Sequence, residues 1–179
     1  MSSGLTKTKT IIGIDYSLNS PAICISTNGG TAFSDCYFYY LTSKKKHIGK
    51  MLENVIGYEH KEWKSPIERF TNLSGWVLHI LDTLHKKQTN KHVFIEGYSY
   101  GSKGQAIFQI AENGGILKYR LQKKFNCKTI VPSVVKKLAT GKGNADKQKM
   151  YEAFTKTQGV DLMKALDQQT LNNPITDIV

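Results

Sequence analysis

A chain of 179 residues, 40% of them apolar, is long enough to bury the core of one domain, which excludes a wholly disordered protein. Its 25 Lys and Arg residues outnumber 14 acidic residues and give a formal charge of +11, which favours a polyanionic partner, nucleic acid ahead of a membrane. No apolar run approaches the ~18 residues of a membrane span, and the polar segment 1–10 is not expected to be a secretory signal.

The three cysteines indicate a reducing compartment. Cys24, Cys36 and Cys127 lie in unrelated local contexts without a CxxC spacing, which argues against a zinc site built from thiolates. Cys24 alternates with Ile23 and Ile25 and is expected to be a small buried hydrophobe. We therefore expect a cytoplasmic protein.

The first 41 residues predict a three-stranded antiparallel meander. Residues 11–15 form a nearly continuous apolar run that ends at Asp15, as a buried central strand would. Residues 21–27 are β-branched and apolar, and a strong turn signal follows in Asn28-Gly29-Gly30. Residues 31–41 are rich in aromatic and β-branched side chains and supply the third strand.

Residues 43–64 differ from the segments on either side. They show little periodicity, and their basic side chains are Lys44, Lys45, Lys46, His47, Lys50, Lys61 and Lys64. We predict a mobile basic insertion within a single domain that spans residues 1–179. A charge run of this kind is either a solvated loop or a DNA-binding segment, and the net charge leaves both open, with Lys44, Lys45 and Lys46 as candidate DNA contacts.

Helices and strands alternate in the rest of the chain. Ser65-Pro66-Ile67-Glu68 combines a capping box with proline at the first helical position, and apolar residues at helical spacing continue to about residue 87. Residues 92–96 form a short buried strand that ends at Glu96, and residues 97–104 form a loop. A second long helix is then predicted to place on one face Ile107, Ile110, Ala111, Leu117 and Leu121.

The chain ends in a last strand and several helices. The strand covers residues 128–131, and Pro132 starts a short helix that further helical segments follow. Because Gly114 and Gly115 would weaken the interior of the second long helix, a close helix–helix approach is predicted there. The order of elements predicts an α/β fold, with a mixed sheet of three antiparallel strands followed by parallel strands, flanked by helices.

Two of the predicted buried strands end in an acid. Asp15 and Glu96 would both lie at the sheet edge where α/β folds bind ligands, and without a neighbouring arginine they would repel each other unless a divalent cation lay between them. Oxygen ligands suit Mg²⁺ or Mn²⁺, and two such ions about 4 Å apart are able to cleave a phosphodiester. The alternative is that both acids cap turns. Asp177 is either a third ligand or a first-turn acid favoured by a helix dipole.

Three blocks of the sequence resemble the RuvC-type Holliday junction resolvases, particularly phage-encoded relatives. The first block is Ile12-Gly13-Ile14-Asp15 with Ser17, and the second is Val93-Phe94-Ile95-Glu96. The third runs from Pro132 through Lys136 and Lys137 to Thr140-Gly141-Lys142-Gly143-Asn144-Ala145-Asp146-Lys147. The third block is the most specific, because the spacing of its lysines and glycines is similar to the family's without gaps.

The resemblance implies an RNase H-like endonuclease that acts as a homodimer. Such an enzyme binds four-way DNA junctions and nicks two opposing strands with two Mg²⁺ or Mn²⁺ ions in each active site, leaving a 5′-phosphate and a 3′-hydroxyl. The resemblance assigns Asp15, Glu96 and Asp177 as metal-binding catalytic acids and Lys147 as a catalytic residue that faces DNA. A glycine-rich turn entering a helix would present N–H groups to a phosphate beside Lys136, Lys137 and Lys142.

In this family an aromatic residue near the second acid inserts at the junction crossover. Tyr98 and Tyr100 flank the matching position, and each of them is able either to stack on a base or to pack under the loop. We add Lys103 to the expected DNA contacts. The family also carries a further acid three residues after the position of Asp177. That position falls one residue beyond Val179, which leaves two alternatives open for the chain as given: active cleavage or impaired cleavage.

Two alternatives and one interface complete the expectations. The same site would serve a nuclease for other branched or flapped DNA, and a module that grips junctions without cutting is the alternative from another class. A homodimer is expected because two opposed nicks need two sites related by a twofold axis. The predicted interface is the helix over residues 104–125, where Ala111, Gly114 and Gly115 allow a close approach and Ile107, Ile110 and Leu117 supply apolar area.

Overall fold

A single mixed sheet organises the molecule. Residues 9–88, 90–98 and 105–179 are described by the computed structural model, apart from the side chain of Gln105, and within them seven strands pair in the order β4-β5-β3-β2-β1-β6-β7. The strands are β1 (Thr10–Asp15), β2 (Ala22–Ser26), β3 (Cys36–Thr42), β4 (Gly49–Leu52), β5 (Val55–Glu59), β6 (Lys91–Glu96) and β7 (Asn126–Ile130). The α-helices are α1 (Pro66–His79), α2 (Gln105–Gln122), α3 (Pro132–Thr140), α4 (Lys147–Gln158), α5 (Leu162–Ala165) and α6 (Ile175–Ile178).

The pairing confirms the predicted mixed α/β sheet. β1, β2 and β3 form an antiparallel meander, with Ile12 opposite Ile25 and Ile23 opposite Tyr39. β6 pairs parallel to β1, and β7 pairs parallel to β6, so the long helices α1 and α2 are crossover connections. No helix within the described ranges is long and apolar enough to cross a membrane.

Alternation along the strands gives the sheet two different faces. On the first face, the alternate isoleucines of the central strands pack against α1 and α2 around fully buried Val77, Leu117 and Leu121. On the second face, Phe38 and Tyr40 of β3 pack against α4, α5 and α6. Residues of β1 and β6 that point to the second face remain only partly covered, and this opening becomes the cleft described below.

The basic segment 43–64 is not the loop that the sequence predicted. β4 and β5 form an antiparallel hairpin inside it, and β5 pairs parallel to β3, so the segment extends the sheet by two strands. Val55 is fully buried in the second-face core, and Gly57 lies where a Cβ atom would overlap the backbone of His47. Val55, Ile56 and Tyr58 are the only large apolar residues of this five-residue strand, and they show no strict alternation that would predict it from the sequence.

Two further predictions change in detail. The first long helix begins as predicted, with Ser65 Oγ accepting from the Glu68 amide, but α1 ends at His79 and a π-helical turn covers Ile80–Leu84. The prediction of one apolar face on α2 is wrong: Leu117 and Leu121 are buried, whereas Ile107 is 43% exposed. Leu117 is therefore part of the chain's own core and not of a dimer interface.

Within the chain, no second helix lies against Gly114 or Gly115 in the part of α2 that the structure describes. A Cβ atom on Gly114 would lie 2.6 Å from the hydroxyl oxygen of Tyr98, and one on Gly115 would meet nothing within 4 Å. Gly114 thus accommodates a tyrosine ring from the segment after β6 and not a second helix.

Candidate active site

An open cleft of about 740 Å³ lies on the second face of the sheet, at the carboxyl ends of β1 and β6. Its floor is formed by strands β1, β2 and β6, and its rim is formed by α3, α4 and α6. Five of the residues predicted to act together line it, namely Asp15, Glu96, Lys136, Lys147 and Asp177. The chain therefore brings residues from its beginning, middle and end to one concave site.

Strand register positions the first two acids. Asp15 and Glu96 are the last residues of β1 and β6. Because Ile14 pairs with Ile95 in the parallel register, the two carboxylates occupy matching positions on neighbouring strands. The isoleucines point to the opposite face and anchor both strands in the core. The apolar packing of one face thereby fixes the position of the charges on the other.

Asp177 reaches the cleft from α6. Ile175 and Ile178 of this short helix are buried against β2 and β3, which fixes its orientation. The hydroxyl of Ser20 donates a 2.5 Å hydrogen bond to Asp177 Oδ2, and its oxygen lies 3.3 Å from the carbonyl oxygen of Leu41. Asp177 is therefore held by the loop that follows Asp15, and it is not simply a first-turn acid of a solvent-exposed helix.

Burial perturbs all three carboxyl groups. Loss of solvent raises the pKa of Asp15 to about 6, an effect that the positive charge of Lys147 partly offsets. Burial, followed by the negative charge of Asp15, raises the pKa of Glu96 to about 7. The pKa of Asp177 also rises to about 7, chiefly through burial, while the hydrogen bond from Ser20 opposes the rise. Each acid is thus costly to ionise without a compensating cation.

The donor set fits a divalent cation of the oxygen-loving type, because its candidate ligands are carboxylates at a sheet edge. Asp15 interacts electrostatically with both Glu96 and Asp177, so it is the member common to two acidic pairs. Within residues 9–88, 90–98 and 105–179, however, no three His, Cys, Asp or Glu side chains converge closely enough to surround one ion. The structure therefore contains two acidic pairs that share Asp15.

Two lysines balance the acids. Lys136 on α3 is half-buried, and its charge opposes the rise in the pKa of Glu96. Lys147 at the start of α4 opposes the rise in the pKa values of Asp15 and Asp177 in the same way. Neither amine forms a salt bridge within the described residues, so both remain available to a phosphate. Lys137 and Lys142 are exposed and do not line the cleft.

The turn between α3 and α4 differs from the predicted phosphate cradle. Gly141 adopts a left-handed conformation with φ of 79° and ends α3, as glycine commonly does. The first turn of α4 is capped by Asp146, whose side chain accepts a 2.9 Å hydrogen bond from the Lys149 amide. The Lys149 amide at this helix start is therefore not free for a phosphate, because Asp146 of the chain already accepts from it.

The remaining predicted DNA contacts are dispersed. Tyr98 is 44% exposed, and its hydroxyl donates to the carbonyl of Ala111 while Lys118 lies 4.3 Å from its ring centre. Tyr100 and Lys103 lie outside the described residues. The amine of Lys44 donates to Asn172 and Asn173, and that of Lys46 donates to the carbonyl of Asp167. Lys45 is exposed, with no contact of its amine among the described residues.

Two residues of the site were missed by sequence reasoning. Ser20 holds Asp177 across 157 positions of sequence, a contact that only the fold creates. Asp146 lines the cleft and caps α4. An aspartate directly before a helical sequence is a preferred N-cap residue, so the sequence did carry a signal for this role.

Two solved structures resemble this one over most of both chains. The structure of RuvC from Thermus thermophilus has a TM-score of 0.56 and 13% identity, covering 94% of this chain and 88% of that one. RuvC from T. thermophilus in complex with Holliday junction substrate has a TM-score of 0.59 and 13% identity, covering 95% and 88%. No protein-family model and no curated protein matches the chain. The likeness confirms the expected architecture: the chain has the RNase H-like fold of RuvC.

Proposed function

We propose that this chain is a metal-dependent endonuclease that binds four-way DNA junctions and resolves them by paired nicks. The observation that carries the proposal is that one cleft at the strand ends is lined by three partly buried acids and by two lysines that form no salt bridge within the described residues. Carboxylates with pKa values raised by burial and by one another are expected where a cation belongs. The charge of +11 and the likeness to a RuvC structure in complex with a Holliday junction substrate support the choice of substrate.

The acids, the lysines and the serine of the cleft have different roles in this proposal. Two Mg²⁺ or Mn²⁺ ions, when bound, would neutralise the acids and stabilise the charge that develops at the phosphodiester. Asp15, Glu96 and Asp177 would hold these ions through their carboxylate oxygens. Lys147 and Lys136 would hold the phosphate by charge, and Ser20 would fix the orientation of Asp177.

Homodimerisation is part of the proposal, because two opposed nicks need two cleft copies. The outward side of α2 supports it with an exposed apolar stripe at spacings of three to four residues, formed by Ile107, Phe108, Ala111, Gly115 and Tyr119. Phe108 is 69% exposed and Tyr119 is 62% exposed, which is unusual for side chains of this size on a lone domain. We place the interface on this stripe.

Cleavage of a labelled four-way junction in the presence of Mg²⁺ tests the proposal. We expect symmetric nicks from the wild-type chain and none from Asp15→Asn, while junction binding by the variant stays equal or tightens because a negative charge facing the phosphate is gone. An Asp15→Asn chain that cuts at the wild-type rate would refute the mechanism.

A flapped duplex and a linear duplex serve as comparison substrates. Faster cleavage of the flap than of the junction would favour the alternative nuclease for other branched DNA. Tight junction binding by the wild-type chain without any metal-dependent cutting would favour a junction-binding module.

A further inference from the structure

A second pocket, of about 430 Å³, lies on the first face of the sheet, between the end of β5 and helix α1. We name it the Trp63–Trp76 pocket after its two tryptophans. The proposed cleavage chemistry uses none of its residues. The side chains used in the following argument are Tyr58, Glu59, Trp63, Arg69 and Trp76.

Aromatic rings form the walls of this pocket. Tyr58 and Trp76 meet edge to face with their ring centres 6.3 Å apart, and the guanidinium of Arg69 lies 4.5 Å from the centre of the Trp63 ring. Trp63 is 42% exposed, so it presents part of an aromatic surface to solvent. Rings and a planar guanidinium are the surfaces on which nucleobases stack.

Two polar atoms of the lining lack partners. Trp76 Nε1 and Arg69 Nε are both buried, and neither has a hydrogen-bond acceptor in the part of the chain that the structure describes. An unpaired buried donor is costly, and an acceptor on a ligand would remove that cost once a shift of the side chains brings it within reach of these atoms. Nucleobases present ring nitrogens and carbonyl oxygens of this kind.

A glycine keeps the pocket open. Gly75 lies in the interior of α1, where glycine destabilises a helix relative to alanine, and a Cβ atom at this position would meet nothing within 4 Å. The residue lines the pocket, so the missing side chain leaves space there. A large side chain at position 75 would fill that space without removing any lining residue.

The pocket and the cleft are joined by one loop. β1, β3, β5 and β6 run in the same direction, so Asp15 and Glu59 end their strands at the same edge of the sheet. The loop between β1 and β2 crosses this edge, held on the cleft side by the bond from Ser20 to Asp177. On the pocket side, Arg69 donates to the Leu18 carbonyl and to Asn19 Oδ1.

We propose that the Trp63–Trp76 pocket binds an unpaired nucleobase of the branched DNA, in a strand that passes from the cleft over the β1–β2 loop. The inference rests on the proposed junction-cleaving function. The lining combines the carboxylate of Glu59, which accepts from an exocyclic amino group, with the cations of Lys61 and Arg69, which attract the phosphates that flank a base, so it fits a base within a strand. The pocket thus adds single-strand recognition to a cleft that handles the cut phosphodiester.

Intrinsic fluorescence isolates this pocket, because Trp63 and Trp76 are the only two tryptophans in the sequence. We expect a short single-stranded oligodeoxynucleotide to quench the emission saturably. An abasic strand of equal length and charge should bind about tenfold more weakly or not quench at all. Equal quenching by both strands would mean phosphate contact alone and would overturn the inference. A mononucleotide that quenches as well as the strand would overturn the DNA source of the base.

Two variants test the position. Gly75→Leu should abolish base-dependent quenching, whereas the matched control Gly75→Ala should retain it and raise the melting temperature. Trp63→Ala removes a partly exposed wall and leaves Trp76 as the sole reporter, so base-dependent quenching should weaken about tenfold. Retention of wild-type quenching in a folded Gly75→Leu protein, or in Trp63→Ala, would overturn the proposal.

The outcome is separable from that of the proposed function. Normal binding and cleavage of the junction without base-dependent quenching would refute base binding by the pocket and leave the proposed nuclease function standing. Base-dependent quenching without junction binding would support base binding by the pocket and refute the proposed junction-resolving function.

Discussion

Asp15, Glu96 and Asp177 are withdrawn from solvent far enough to raise their pKa values to between about 6 and about 7. The reference values of these groups are 3.8, 4.5 and 3.8, so between pH 4 and pH 7 the folded chain holds protons that the unfolded chain has released. Their contribution to the free energy of unfolding is therefore complete below about pH 4 and is lost as the pH rises to about 7. The site opposes folding when it is ionised and lacks a cation.

A pH series on metal-free protein tests this cost. In EDTA, we expect the melting temperature of Asp15→Asn to exceed that of the wild-type chain by a few degrees at pH 7.5 and by less at pH 5, because the wild-type chain must ionise Asp15 in addition to Glu96 and Asp177 at the higher pH. Mg²⁺ at pH 7.5 should raise the melting temperature of the wild-type chain alone. Wild-type melting that tracks the variant at both pH values would contradict the burial argument.

Ser20 allows a second test at the residue scale. Ser20→Ala removes the hydroxyl that holds Asp177 Oδ2 and should raise the Mg²⁺ concentration needed for half-maximal thermal stabilisation by about tenfold. Ser20→Thr keeps a hydroxyl and should behave much more like the wild-type chain. Equal Mg²⁺ affinity in the alanine variant and the wild-type chain would mean that packing of α6 suffices to place the acid.

At the scale of elements, α2 has two unlike sides. Leu117 and Leu121 pack into the core of the chain, whereas Phe108 and Tyr119 are exposed on the other side. Apolar periodicity could not separate these sides, because leucine on the buried side and phenylalanine on the exposed side contribute alike to the pattern. The same limit hid β5, whose few apolar residues lie among lysines. Asp15 and Glu96, by contrast, were predictable because each ends an apolar run.

Ala111→Arg tests the exposed stripe. A buried, unpaired charge in its middle should shift sedimentation equilibrium at micromolar protein from a dimer to a 20.1 kDa monomer. Gln109→Arg adds the same charge to α2 outside the stripe and should leave the dimer intact. A substitution at Gly114 would be less informative, since its neighbour is Tyr98 of the same chain. A wild-type chain that is monomeric without DNA would refute a preformed dimer.

For the whole molecule, the formal charge of +11 predicts steep salt dependence of junction binding. Replacing both Lys136 and Lys147 by glutamine should lower the slope of log affinity against log salt by about two, because two phosphate contacts are lost. Lys149→Gln is the matched control, since that amine lies 3.7 Å from Asp146 and does not line the cleft. An unchanged slope in the double variant would move the phosphate contacts elsewhere.

Composition, periodicity and strand-end acids were enough to predict the sheet, the meander and two members of the site. The third acid followed from the resemblance, because a four-residue helix such as α6 has too few residues to show a period. The contact between Ser20 and Asp177 and the Trp63–Trp76 pocket join segments with no shared local pattern. Such sites arise from chain topology, which local sequence specifies only indirectly.

The bond between Ser20 and Asp177 closes a loop of 157 residues, so the third acid reaches the cleft only after nearly all of the chain is available. Both strand-end acids can come together earlier, once β1 and β6 have paired. During synthesis, therefore, a chain that has not yet released α6 from the ribosome carries an incomplete set of acids beside its basic surface. Under the proposed function, such a nascent chain would bind nucleic acid before it is able to cut it.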